Sequence, residues 1–248
     1  MKRLLIITRR VMKQIAKDKR FFGLSLVAPL IIIYFLKVAI DSMTPIGRSG
    51  VYDSMVMPVV AAIVFFLGFI LCTLALVRER TSLTLNRMFV SGYTRSEIIA
   101  GYLLGFAGLA TIQAFLAMGE GYFVFNLSYT RETFASLFVV MWLLAIVSLG
   151  LGILISNAAR TEGQVVPFIP LVLLPSLFLS GIVTRGVDNL PQWAQFISRF
   201  IPLRYASDSI NGLIKGQSLA DQSGSLISLL AFGILLLWAA ALTLRDRE

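Results

Sequence analysis

Six uninterrupted apolar runs divide this chain, at residues 21–40, 56–77, 102–125, 134–155, 165–183 and 226–244. Each is close to the ~20 residues that a helix needs to cross a hydrocarbon layer about 30 Å thick. The runs are continuous rather than alternating, and each is about twice the ~10 residues of a barrel strand, so the pattern predicts helices and not a β-barrel. The expected fold is an all-α polytopic membrane protein, a single transmembrane domain of six spans over residues 1–248.

The segments between the runs carry patterns of their own. In residues 3–20, Leu4, Ile7, Val11 and Ile15 recur at spacings of three and four while basic residues fill much of the remaining circumference. That is the signature of a helix lying in the membrane interface. It reads equally as a lever bound to the inner leaflet or as a topology anchor.

The loop 78–101, RERTSLTLNRMFVSGYTRSEIIAG, is too long for a simple turn. Ser82 or Thr84 is placed to cap a short helix bearing Leu85, Met88 and Phe89, with Ser91-Gly92 as its stop. Thr94 followed by Glu97 then forms a capping box for the third span. The short helix reads either as a docking knob for another protein or as a surface helix lying on its own membrane domain.

In the fifth run, Pro167, Pro170 and Pro175 each remove a backbone donor, which predicts a kinked or locally open helix. The segment 184–217 follows, with Trp193, Phe196, Ile197 and Phe200 in one amphipathic piece. Tyr205, Ile210, Leu213 and Ile214 lie in a second, and Pro202 separates the two. These pieces are expected either to dip into the outer interface as short re-entrant helices or to cap the bundle.

Composition narrows the function classes. Apolar residues make up 57% and charged residues only 14%, a balance that a water-soluble globule cannot hydrate. With no histidine and one cysteine, Cys72, zinc sites, haem ligation, Ser-His-Asp triads and internal disulfides are excluded. The net charge of +9 gathers beside the apolar runs, which favours membrane lipid headgroups as partners and argues against nucleic acid. The first twenty residues lack a separate apolar core with a small-residue cleavage site, so the first span is expected to be retained.

Lys and Arg near span ends set orientation. Lys2, Arg3, Arg9, Arg10, Lys13, Lys17, Lys19, Arg20, Arg78, Arg80, Arg87, Arg95, Arg160, Arg245 and Arg247 fall on one side. Only Arg48, Arg131, Arg185, Arg199, Arg204 and Lys215 fall on the other. Both termini are therefore expected in the cytoplasm, in the inner (plasma) membrane. Within the spans, Glu120 and Lys37 are costly unless paired or hydrated. Gln113, Glu120 and Asn126 are the candidates for a polar substrate path, and Lys37 is read as snorkelling outward.

The order of these elements resembles the membrane subunit of type-2 ABC exporters, over essentially the whole chain. The most specific part is Leu179-Ser180-Gly181, then Leu190-Pro191-Gln192-Trp193, then Pro202-Leu203-Arg204-Tyr205. In the loop 78–101, Glu79-Arg80 and Thr84-Leu85 match the family pattern, but Leu83 stands where glycine is common and Gly92 where proline is common. The resemblance implies a permease that pairs with two copies of a separate ABC ATPase subunit and with a second copy of itself, with the second and fifth spans at the interface between copies. It implies that Arg78, Glu79, Arg80, Leu85, Met88 and Phe89 form the ATPase-coupling element, and that Trp193, Phe196, Phe200 and Tyr205 mark the outer re-entrant segment. No G-x-x-x-x-G-K-[ST] phosphate loop is present, so no cofactor is expected in this chain. ATP and Mg would be bound by the partner.

Two other classes compete: an intramembrane enzyme using Glu120, which lacks a second positioned acid or base, and an ATP-independent channel. The apolar interior suits a hydrophobic or amphipathic cargo such as a drug, lipid or peptide.

Overall fold

The computed structural model describes residues 2–43, 51–184 and 186–243, and contains no strand among them. Arg48, Arg185, Arg245 and Arg247, which enter the loop charge balance, lie outside the described residues, as does Leu244 at the end of the sixth run.

The basic amino-terminal stretch is helix α1 (Lys2–Lys17), and the first span, α2 (Lys19–Met43), starts after a break at Asp18. Asp18 Oδ1 accepts the Phe21 N–H at 3.0 Å. A carboxylate that satisfies an amide left over at a helix start lets the chain turn there, so the interfacial helix stops short of Arg20.

The second span, α3 (Val51–Thr81), continues one turn past its apolar run. Its 31 residues make a rod of roughly 46 Å at 1.5 Å per residue, longer than a ~30 Å hydrocarbon core. Arg78, Glu79 and Arg80 therefore ride on a helical stalk and not in a loop.

After α4 (Thr84–Val90), the Thr94 side chain accepts the Glu97 N–H while Glu97 accepts the Thr94 N–H at 2.9 Å. This full capping box opens the third span, α5 (Arg95–Val124). The fourth span is α6 (Arg131–Ala158).

The fifth run is split into α7 (Glu162–Val165) and α8 (Phe168–Leu179), broken at Val166-Pro167. Pro167 cannot donate to the preceding turn, and α8 covers only about 18 Å. A short 3₁₀ turn (Val187–Asn189), α9 (Gln192–Ser198) and α10 (Pro202–Ile214) lead to the last span, α11 (Ser223–Thr243).

The core runs along α3, α5 and α6. Of the stretches apolar enough to cross a bilayer, 61% of α3 and of α6 is buried, against 11% of α11 and of the α7–α8 pair. The second span is mostly enclosed by its own chain, whereas the fifth lies on the perimeter. Helices gain little from burying apolar surface where lipid is the alternative, so close backbone approach and polar bridges hold them together. At Gly152 a Cβ would come within 2.9 Å of the Phe69 carbonyl oxygen, and Thr73 Oγ1 donates to the Gly152 carbonyl at 3.2 Å. At Gly101 and Gly105 a Cβ would meet the side chains of Ile7 and Val11 at 2.5 Å, so α1 rests directly on the backbone of α5.

Candidate functional site

The ends of α3, α4, α6, α7 and α11, together with α1, meet on one face rich in Lys and Arg, here termed the basic face. Its projecting feature is α4. Leu83 precedes it with φ 58°, the left-handed region, and no side chain caps it. The cap expected from Ser82 or Thr84 does not form. Ser82 Oγ turns back to the Glu79 carbonyl at 3.1 Å and to Thr84 Oγ1 at 3.0 Å. Glycine adopts φ 58° without cost, whereas leucine places its Cβ against the following carbonyl.

The far end of α4 stops as the sequence predicts. Gly92, at φ 79°, donates to the Phe89 carbonyl and Tyr93 to that of Met88, a Schellman closure. Leu85 and Met88 turn into the bundle and are buried, and Phe89 is half-buried against it. The apolar stripe thus seats α4 on its own membrane domain. The side chains it presents outward are Arg87, Leu83 and Val90, the last 90% exposed.

The base of α4 is tied down on several sides. Glu79 is only 4% exposed, and its carboxylate accepts hydrogen bonds from Arg10 Nη2 at 3.1 Å and from Gln14 Nε2, both on α1. Arg78 pairs with Glu162 at the start of α7 at 2.8 Å. Arg80 donates to the Ser156 carbonyl and to Asn157 Oδ1 on α6, and Asn157 in turn donates to the Ala240 carbonyl of α11 at 2.9 Å. Arg3 reaches the Gly92 carbonyl at 2.8 Å. A displacement of α4 is therefore passed to α1, α3, α6, α7 and α11 through short polar contacts.

The three path candidates do not converge. Gln113 is buried and donates to the Ser25 carbonyl at 3.1 Å, bridging α5 to α2. Asn126 is exposed at φ 52° and ends α5, where its N–H and that of Leu127 close a second Schellman turn. Asparagine tolerates that conformation better than other non-glycine residues, which accounts for its position. Glu120 is half-buried with one carboxylate oxygen, Oε2, enclosed and without a hydrogen-bond partner. Lys37 is half-buried on α2 and forms no ion pair with it among the described residues.

On the opposite face, Gly181 holds φ 82° and its carbonyl accepts the Gly186 N–H at 2.8 Å, so the Leu-Ser-Gly motif is a turn that needs glycine. Helix α9 buries its small residues, Ala194 and Ser198, and exposes Trp193, Phe196 and Ile197, with Phe200 exposed just beyond its end. Helix α10 does not lie on the surface. Leu203, Ala206, Ile210 and Leu213 are buried, and it packs on α3, α6 and α11. Arg204 joins the two, donating to Ser198 Oγ at 2.6 Å and lying 3.6 Å from Asp208. Tyr205 is half-buried, its hydroxyl donating to the Arg199 carbonyl at 2.9 Å.

Asp208, Asn211, Lys215 and Gln217 line a cavity of about 420 Å³ with Met55 and Pro58 of α3. Desolvation raises the Asp208 carboxyl above the ordinary carboxylate range, although Arg204 pulls the other way. This polar cavity escaped the sequence reading, which sought the path inside the spans. The partners of Glu79 escaped it too, because Arg10 and Gln14 lie 69 and 65 residues away in the chain.

A family model described as "ABC-2 type transporter" matches residues 2–214. The chain is 28% identical over 158 residues to the probable multidrug ABC transporter permease YbhR of Escherichia coli K12, covering 63% of this chain and 42% of that one. It is 27% identical over 161 residues to the linearmycin resistance permease protein LnrN of Bacillus subtilis, covering 64% and 41%. It is 30% identical over 141 residues to nodulation protein J of Rhizobium leguminosarum bv. viciae, covering 56% and 52%. The match thus spans roughly two fifths to one half of these curated relatives.

Proposed function

Since the chain belongs to the ABC-2 type transporter family, we propose that it is the membrane-spanning permease subunit of an ATP-driven exporter. Two copies would form the translocation path, and two separate ABC ATPase subunits, holding ATP and Mg, would drive it. The basic face is cytosolic in this reading, with both termini inside and the chain in the plasma (inner) membrane, as the positive-inside bias requires. The exposed perimeter of α7 and α8 is the surface offered to the second copy, where a closed two-fold pair is the commonest arrangement.

The single observation that carries the reading is the way α4 is mounted. Its apolar stripe is buried in its own bundle, its base is tied by Glu79 to α1, and its tip presents Val90, Leu83 and Arg87. A knob fixed this firmly transmits a push and does not absorb it. The motor's nucleotide-dependent closure then biases the tilt of the two permease copies only as far as its contacts differ between the two states. Arg78, Glu79 and Arg80 act as the mounting, Leu85, Met88 and Phe89 as the seat, and the outward residues as the docking face. The cargo is a hydrophobic or amphipathic compound, in keeping with the multidrug and linearmycin-resistance names of two relatives.

Val90→Asp tests this in the complex with the ATPase subunit that copurifies with the chain. Docking would bury the new carboxylate without a partner, at a cost above about 1.4 kcal/mol, so permease-stimulated ATP turnover should fall at least about tenfold with thermal stability unchanged. Met88→Asp should instead lower the stability of the chain itself, because it buries an unpaired charge. Unchanged stimulation in Val90→Asp, or a chain that copurifies with no ATPase and transports alone, would overturn the proposal.

A further inference from the structure

Helix α1 presents four flanks to its surroundings. Ile7, Val11 and Ile15 form a buried seam, the first two against Gly101 and Gly105 of α5. Beside that seam, Arg10 and Gln14 reach Glu79 of α3. Beyond its other edge, Leu5 is 63% and Met12 49% exposed, an apolar strip that the bundle leaves uncovered. Counting about 100° per residue, Arg9, Lys13 and Lys17 form one row on the far side from the seam, all exposed, with Ile6 among them. None of the three is ion-paired among the described residues. The sole acidic residue between positions 2 and 20 is Asp18, whose carboxylate accepts the Phe21 N–H. Like charges four apart on a helix repel, so an unpaired row of this kind is favoured where counter-charge lies along it.

We propose that α1 is a docking surface for anionic phospholipid, with headgroup phosphates along Arg9, Lys13 and Lys17 and acyl chains against Leu5 and Met12. Two observations favour a leaflet over a soluble acidic partner. The apolar strip lies directly beside the basic row, so one bilayer supplies both acyl chains and phosphates, whereas an acidic protein docked on the row leaves Leu5 and Met12 in water. Lys17 is also two residues from Lys19, where the first span begins, which holds the row at headgroup depth. Choline lipids gain little from the row, because their own ammonium compensates the phosphate. Each basic side chain near an anionic leaflet is worth about a fivefold preference, so the row should enrich anionic lipid at α1 by at least that factor. The contact uses neither the seam on α5 nor the Glu79 joint, so it adds to both. The inference rests on α1 lying at the membrane surface, and it is independent of any ATPase.

The test is fluorescence quenching of the purified full chain in nanodiscs holding equal amounts of phosphatidylglycerol and phosphatidylcholine, with brominated acyl chains on one lipid or on the other. The fluorophore is attached through Met12→Cys, and Cys72 is buried and stays unlabelled. The two quenching values give the local ratio of glycerol to choline lipid, expected at about fivefold or more at low salt. It should fall towards one at about 1 M salt, where screening is nearly complete. A probe attached instead through Ile234→Cys, exposed in the middle of α11, should report a ratio near one under all conditions. Combining Arg9→Gln, Lys13→Gln and Lys17→Gln leaves the seam and the Glu79 joint intact and should bring the Met12 ratio down to the α11 value. The salt series decides the question even where that triple variant folds poorly. A ratio near one in the otherwise wild-type chain, or full enrichment persisting in the triple variant or at high salt, overturns the proposal. So does a Met12 probe quenched by neither lipid, which would turn this flank to water and to a soluble partner. Failure here leaves Val90→Asp and the exporter reading untouched, since that assay reads ATP turnover.

Discussion

Replacing Glu79 with glutamine removes one charge and almost no volume, and it strikes the joint between α1 and the stalk of α3. The carboxylate receives two donors, Arg10 Nη2 at 3.1 Å and Gln14 Nε2. A glutamine amide can keep its oxygen toward Arg10 and donate its NH₂ to a flipped Gln14 amide, so both contacts can persist. Neither is charge-assisted any longer, however, and the loss over the two is about that of one charged bond. A hydrogen bond to a charged group is worth about 1.5–3 kcal/mol. The Arg10 side chain is 38% exposed and keeps part of its hydration, which places the loss near the lower end, at about 2 kcal/mol. Each 1.4 kcal/mol is tenfold, so the undocked fraction of α1 should rise about thirtyfold. The buried Ile7, Val11 and Ile15 still hold the helix in place most of the time.

Limited trypsin digestion reads this directly, because Arg9, Arg10, Lys13 and Lys17 are cleavage sites along α1. When opening is fast relative to cleavage, the rate follows the open population. Cleavage within α1 should accelerate about thirtyfold in Glu79→Gln, while cleavage at Arg199 on the opposite face stays constant. Acceleration by less than about threefold would refute the claim that Glu79 holds α1 to the bundle.

Leu83→Gly should stabilise the chain, because the left-handed φ of 58° costs leucine about 1–2 kcal/mol and its side chain is already 58% exposed. A rise in Tm of a few degrees by calorimetry is expected, and a fall would show that the side chain packs more than its exposure implies. Asp208 should make stability depend on acidity. Its folded-state carboxyl titrates above the ordinary value because of desolvation, so its favourable contribution is complete below that ordinary value. The contribution is then lost as pH rises through the elevated one. Asp208→Asn should flatten the wild-type decline of Tm across that window, and an unchanged slope would place the titration elsewhere.

Much of the local architecture can be read along the chain. Thr94 with Glu97 opens α5, and Ser91-Gly92 closes α4, because capping is settled by residues within one helical turn of each other. The prolines of the fifth run foretell a discontinuity for the same reason, and the break falls at Val166-Pro167. Asn126 shows the limit of such reading. An amide near the end of an apolar run looks like a path-lining group, yet its value here lies in its backbone conformation.

What the sequence by itself determined is therefore the number of spans, the basic amphipathic helix and the helix ends, all properties of side-chain pattern within a few residues. Only the tertiary structure decided which way each stripe faces. Leu85 and Met88 turn inward and Val90 outward, α10 is driven into the core, and α9 keeps its aromatic residues outside. It also decided which distant groups meet, bringing Arg10 to Glu79, Arg78 to Glu162 and Arg80 to Asn157. The reason is that amphipathic periodicity defines a face but not the neighbour it meets. In a bundle whose lipid surroundings are as apolar as its core, that neighbour is chosen by close packing at glycines such as Gly101 and Gly105 and by the need of each buried polar group for a partner.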